Sequence, residues 1–71
     1  MGEPLGAALA GNVFQILVEP GEQVSEGQTV IVLEAMKMET EISAPRSGKV
    51  VTVTVDEGDA VQVGDTLLTL A

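Results

Sequence analysis

The chain repeats itself, and this limits it more than any other feature. When each residue from Leu9 to Glu34 is set against the one 37 positions later, eight of 26 pairs are identical without a gap. Gly11 meets Gly48, Val13 meets Val50, Val18 meets Val55, and Gly21 meets Gly58. The other four pairs are Val24 with Val61, Gly27 with Gly64, Thr29 with Thr66, and Leu33 with Leu70. A Val- and Gly-rich composition would give on the order of two or three matches by chance. Two like halves within 71 residues cannot each bury an apolar face alone, so they are expected to pack on each other about a pseudo-twofold.

Each half reads as a strand, a turn, a short strand, a turn and another strand. Residues 13–18 and 50–55 are the long strands. Period-two alternation points Phe14, Ile16 and Val18 inward in the first, and Val51, Val53 and Val55 in the second. Residues 19–22 and 56–59 form one pair of turns, and residues 26–28 and 63–65 the other, with Gly supplying positive φ. Residues 30–33 and 67–70 are nearly continuous apolar runs, as suits strands covered on both faces. No window pairs helical spacing of apolar residues with a cap. The predicted class is therefore all-β.

Composition then removes whole classes of function. The chain has no Cys and no His, which excludes disulfides, His or Cys metal ligation, a His base and a Cys nucleophile. Eleven acidic against three basic residues give a net charge of −8, which argues against nucleic acid and against an anionic membrane surface. No apolar run approaches the ~20 residues of a membrane span, and no signal pattern opens the chain. The expected location is the cytoplasm, and the domain is expected to be a monomer. Asp56, Glu57 and Asp59 lack EF-hand spacing and read as solvated turn residues, with no metal site expected. Arg46 and Lys49 read as surface charges. Residues 1–4 resemble the end of a linker or a cloned start, leaving 5–71 as the domain.

Between the halves lies Glu34-Ala35-Met36-Lys37-Met38-Glu39. A twofold sets this segment at one end of the body and the chain termini at the other. An apolar strand precedes it and an alternating strand, residues 40–44, follows, so Met36-Lys37 is predicted as the tip of a hairpin. Two-residue hairpin turns favour Asn-Gly, because both positions take positive φ. Met and Lys would be strained there by about 1–3 kcal/mol, and such strain concentrates at functional sites.

This segment resembles the attachment motif of biotinyl domains, the carboxyl carriers of biotin-dependent carboxylases and decarboxylases. The resemblance runs from about Leu5 to Ala71. It takes in the Gly21 and Gly58 turns, the Ala44-Pro45 pair and the Gly64-Asp65-Thr66-Leu67 close. Residues 33–42 are especially similar to carriers of oxaloacetate decarboxylase α subunits, transcarboxylase and pyruvate carboxylase. Ala8 stands where many relatives have a Pro, and the gapless repeat leaves no room for the protruding loop of some acetyl-CoA carboxylase carriers.

The resemblance implies a flattened β-barrel, or sandwich, of two four-stranded antiparallel sheets with an internal pseudo-twofold. It implies biotin in amide linkage to Lys37, with Ala35, Met36 and Met38 as the rest of the attachment motif. Glu34 and Glu39 are candidates for recognition by the ligase, and Glu41 shares their strand-edge character. Neither Glu neighbour activates an amine as a nucleophile, so activation must come from a biotin protein ligase. The implied domain is a substrate and carrier rather than a catalyst. It would shuttle CO2 as carboxybiotin between biotin carboxylase and carboxyltransferase domains or subunits, with tethering raising the effective concentration. The rival within the fold is a lipoyl carrier of a 2-oxoacid dehydrogenase-type complex, in which the modified Lys typically follows Asp. Met36 and Met38 occupy the neighbouring positions here. The rival from another class is a β-sandwich with no cofactor.

Overall fold

A computed structural model describes residues 2–71. Eight strands follow in order: β1 (Glu3–Gly6), β2 (Gly11–Ile16), β3 (Gln23–Val24), β4 (Thr29–Ala35), β5 (Met38–Ser43), β6 (Gly48–Val53), β7 (Ala60–Val61) and β8 (Thr66–Leu70). They form two four-stranded antiparallel sheets, β1-β8-β6-β3 and β5-β4-β2-β7. No residue among those described is helical.

The 37-residue shift carries β2 onto β6, β3 onto β7 and β4 onto β8. It also carries the start of the chain onto the central hairpin, since β1 falls on the last four residues of β5 and buried Ala7 falls on buried Ala44. The sequence identities begin only at Gly11, so the structural repeat is longer than the readable one. β1 takes in Glu3 and Pro4 of the stretch read as a linker end, pairing them with Leu70 and Thr69. Met1 lies outside the described residues.

The halves are joined by reciprocal backbone bonds. Gly21 donates its N–H to Val50 O and Gly58 donates to Val13 O, both at 2.7 Å. In return Val50 donates to Glu22 O and Val13 to Asp59 O, both at 2.8 Å. Gly21 and Gly58 sit at φ +92 and +97, a region open to Gly and strained for other residues. The turn of each half is thus sealed onto the long strand of the other.

The long strands depart from the predicted alternation. They begin at Gly11 and Gly48, two residues earlier than expected, and each contains a bulge. Val13 faces Leu33 while Gln15 faces Val32, and Val50 faces Leu70 while Thr52 faces Thr69. Two residues on one strand oppose one on its partner, so the inward and outward faces exchange. Val13 and Val50 are therefore buried, whereas Phe14 and Val51 stand outward at 49% and 45% exposure. The inward placements of Phe14 and Val51 are corrected by the bulge. Those of Ile16, Val18, Val53 and Val55 hold, since all four lie in the core or against it. The covered-strand reading holds for residues 30–33, all buried, and for Leu67, Leu68 and Leu70.

No polar or charged residue among those described is buried, so stability rests on apolar packing between the two sheets. Leu33→Ala is expected to cost about 2–5 kcal/mol through a cavity. Phe14→Ala, one bulge away, should cost about 1 kcal/mol or less. Urea unfolding midpoints at constant m-value distinguish the two, and equal losses would contradict the bulge assignment.

Candidate functional site

The β4–β5 hairpin is closed by the smallest possible loop. Glu34 pairs with Glu39 and Ala35 with Met38, leaving Met36 and Lys37 as the two loop residues. The right-handed twist of the flanking strands demands a turn with φ positive at both positions. Met36 lies at φ 53 and Lys37 at φ 64, the two positive-φ residues other than Gly among those described. Side chains at the pair cost about 1–3 kcal/mol relative to a turn built for positive φ. The predicted strained tip is thus present at both predicted residues.

The tip is well exposed. Met36 is 94% and Met38 69% accessible, and Lys37 is likewise exposed. Among the described residues the one ion pair joins Arg46 to Glu3, and no hydrogen bond engages the Lys37 amine. Glu34 and Glu39 face each other directly across the hairpin, both exposed. Like charges placed opposite one another disfavour the pair, so packing of the hairpin alone does not account for them. Ala35 is half-buried and seats the hairpin on β2.

Gly11 makes that seating possible, a role that reading it as a repeat identity missed. A Cβ at Gly11 would stand 2.6 Å from Glu34 O and 3.2 Å from Ala35 Cβ. Only a bare backbone lets β2 come this close to the base of the hairpin. The available signal was a Gly inside an otherwise regular strand. Beside it lies a shallow groove of about 360 Å³, lined by Ala10, Gly11, Glu34, Ala35, Met36 and Gln62 among others. Nothing in the sequence pattern brings positions 10, 35 and 62 together.

The far end of the molecule holds Glu3 and Ala71. β2 leaves Gly11, beside the hairpin, and the turn that follows it reaches Val50. Gly48, next along β6, abuts Ala71 O, which would lie 2.8 Å from an added Cβ. Arg46, read from sequence as a simple surface charge, works here as a clasp. Its guanidinium donates to Ala71 O and Ser47 O at 3.0 Å, to Leu70 O at 3.4 Å and to Glu3 Oε1 at 2.9 Å. The acidic turn residues also have local duties. Asp59 Oδ2 accepts the Asp56 N–H at 2.8 Å, and Glu57 Oε2 accepts the Ile16 N–H at 3.0 Å.

An exposed primary amine at a strained apex of a twofold β-body matches one family profile, described as "Biotin-requiring enzyme", over residues 4–70. The chain belongs to this biotin and lipoyl attachment family. The attachment domain is 49% identical over 63 residues to the biotin/lipoyl attachment protein of Bacillus subtilis, covering 89% of this chain and 86% of that one. It is 45% identical over 65 residues to the biotin carboxyl carrier protein of Streptococcus mutans, covering 92% of this chain and 50% of that one. Among solved structures, a single-chain, multi-domain long-chain acyl-CoA carboxylase superposes with a TM-score of 0.89 at 40% identity, over 96% of this chain and 7% of that one. The lipoyl domain of the Azotobacter vinelandii 2-oxoglutarate dehydrogenase complex superposes less well, at 0.76 and 29% identity, over 92% of this chain and 81% of that one. The attachment domain thus spans most of one relative, half of another and a small part of a multi-domain carboxylase.

The residues present fit an amide-linked cofactor. An accessible amine is the nucleophile such a link requires, and the exposed Met36 and Met38 side chains leave it unobstructed. If the tip is strained for the sake of its side chains, replacing Met36-Lys37 by Asn-Gly should raise stability by about 1–3 kcal/mol. The readout is the urea midpoint of the double variant, and an unchanged or lower midpoint would contradict the strain argument.

Proposed function

We infer that this chain is a biotin carboxyl carrier domain, with biotin attached to Lys37 and no catalysis of its own. The observation that carries the reading is Lys37 held out at positive φ between two exposed methionines. The names and identities of the carboxylase relatives support biotin over lipoate, and they favour a carboxylase as the parent assembly over a decarboxylase. In the attachment step, the Lys37 Nζ attacks the carbonyl of an acyl-adenylate held by a biotin protein ligase. The C–N amide bond forms, the acyl–phosphate bond breaks with AMP leaving, and the amine loses a proton. Bound there, biotin supplies a ureido nitrogen that takes up and releases a carboxyl group.

This chain's contribution is mechanical. The hairpin presents the arm, the twofold core keeps the hairpin rigid, and the far end leaves room for connection to carboxylase and carboxyltransferase partners. The flexible Lys stem lets one anchor visit two active sites, which converts each delivery into an intramolecular event. The setting proposed is the cytoplasm.

The experiment is intact mass after coexpression with a biotin protein ligase. A single biotin increment that disappears in Lys37→Ala, with the fold retained, is expected. A lipoyl increment would favour the rival carrier, and no increment the cofactor-free sandwich. Label that moved undiminished to Lys49 would refute the site. Met36 and Met38 offer broad, polarizable contact surface at the acceptor. Replacing both by Ala should slow labelling at least about tenfold, equivalent to ~1.4 kcal/mol of recognition. The labelling time course at subsaturating domain concentration measures it.

A further inference from the structure

The pseudo-twofold allows the two ends of the body to be compared as if they were two versions of one site. At the far end, the space beside Gly48 is filled. The Arg46 guanidinium lies there, with its Nη1 only 2.7 Å from where a Gly48 Cβ would stand. This planar group donates its N–H bonds to the main-chain oxygens of Ser47, Leu70 and Ala71. The 37-residue shift carries Gly48 back to Gly11, Ser47 to Ala10 and Ala71 to Glu34. Those three residues line the open groove beside the hairpin.

The two ends share one close backbone approach. Ala71 O would lie 2.8 Å from a Cβ on Gly48, and Glu34 O would lie 2.6 Å from one on Gly11. What differs is the plug. Arg46 has Leu9 as its counterpart, and Leu9 is half-buried against the core and absent from the groove lining. Directly over Gly11 that place is taken by Ala35, whose Cβ lies 3.2 Å from where a Gly11 Cβ would stand, so what stays open at the hairpin end is the strip beside it, along Ala10, Glu34 and Met36, where no planar donor lies. The groove begins at Met36, the residue before Lys37, and is shallow and open, about 360 Å³, a surface on which a planar ring can lie rather than a pocket that encloses it.

We propose that the groove lined by Ala10, Gly11, Glu34 and Met36 is a resting dock for the ureido ring carried on Lys37. The proposal rests on the biotin reading above. A cyclic urea is planar and offers paired N–H donors, as the guanidinium does. It is uncharged, so it approaches main-chain oxygens with a smaller desolvation penalty than a cation. Ala10, Ala35, Ala60 and Val61 supply apolar walls for the fused sulfur ring, and Gln62 a further amide. Docking shields the reactive nitrogen between visits, and the long arm releases it when a partner active site binds it better.

The test compares amide NMR spectra of the unmodified and the biotinylated domain, with modification verified by intact mass. Shift changes are expected at Ala10, Gly11, Glu34 and Gln62, well outside residues 35–38. Cross-relaxation from the ureido N–H protons to Ala10 and Gly11 should accompany them. Ala60→Trp, which fills the groove from an exposed edge position, should abolish those remote changes while leaving biotin uptake and the core spectrum intact. Full biotinylation with changes confined to residues 35–38 would overturn the dock and leave the carrier reading standing. Remote changes that survive in Ala60→Trp would overturn it as well. Failure to take up biotin at all would overturn the carrier reading and the dock with it.

Discussion

The registration of the two halves depends on the reciprocal hydrogen bonds by which each half closes the turn of the other. Gly21 reaches Val50 and Gly58 reaches Val13, both at 2.7 Å. The acceptors stand immediately before the bulges of the two long strands, and the donors are glycines in the left-handed region. A side chain at either Gly would strain the turn, and a bulge one residue away would move the acceptor. Sheet pairing within a half would not replace these bonds, because β2 and β3 lie in different sheets. The apolar core between the sheets supplies the stability, and the sealed turns fix which residues share it: Ile31, Leu33, Leu67, Leu68 and Leu70 pack there with Val13, Val50 and the other buried residues.

Much of this architecture could be read from the residues. The eight identities at a fixed offset disclosed the twofold, and the Gly positions located the turns. What the pattern concealed is instructive. In 50–55, Val alternates with Thr so cleanly that Val51 looks inward, yet the bulge turns it outward. A bulge is decided by which partner residue meets which, and that lies in the other strand. The β1 strand was hidden for a different reason. Glu3-Pro4-Leu5-Gly6 shares no residue with Thr40-Glu41-Ile42-Ser43 at the same offset, so only the backbone shows the correspondence.

The candidate site was legible where it is local and opaque where it is not. Met36-Lys37 in a two-residue loop follows from the strands on either side, and the structure places both residues at positive φ. Arg46 is the opposite case. Its partners, Glu3, Leu70 and Ala71, are near it only because β1 and β8 pair beside β6. The groove beside Gly11 belongs with it, since three separate strands contribute its walls. Local chemistry survives in a string of letters, whereas convergence must be seen in space.

The body measures 32 Å along its long axis and about half that across, and the repeat sets the Met36-Lys37 tip and the Arg46 clasp at opposite ends of it. A body of that shape turns as a boom rather than as a ball. A modest pivot about the clasp end would sweep the tip along an arc with a radius approaching the boom's whole length, a displacement added to the reach of the Lys37 side chain itself.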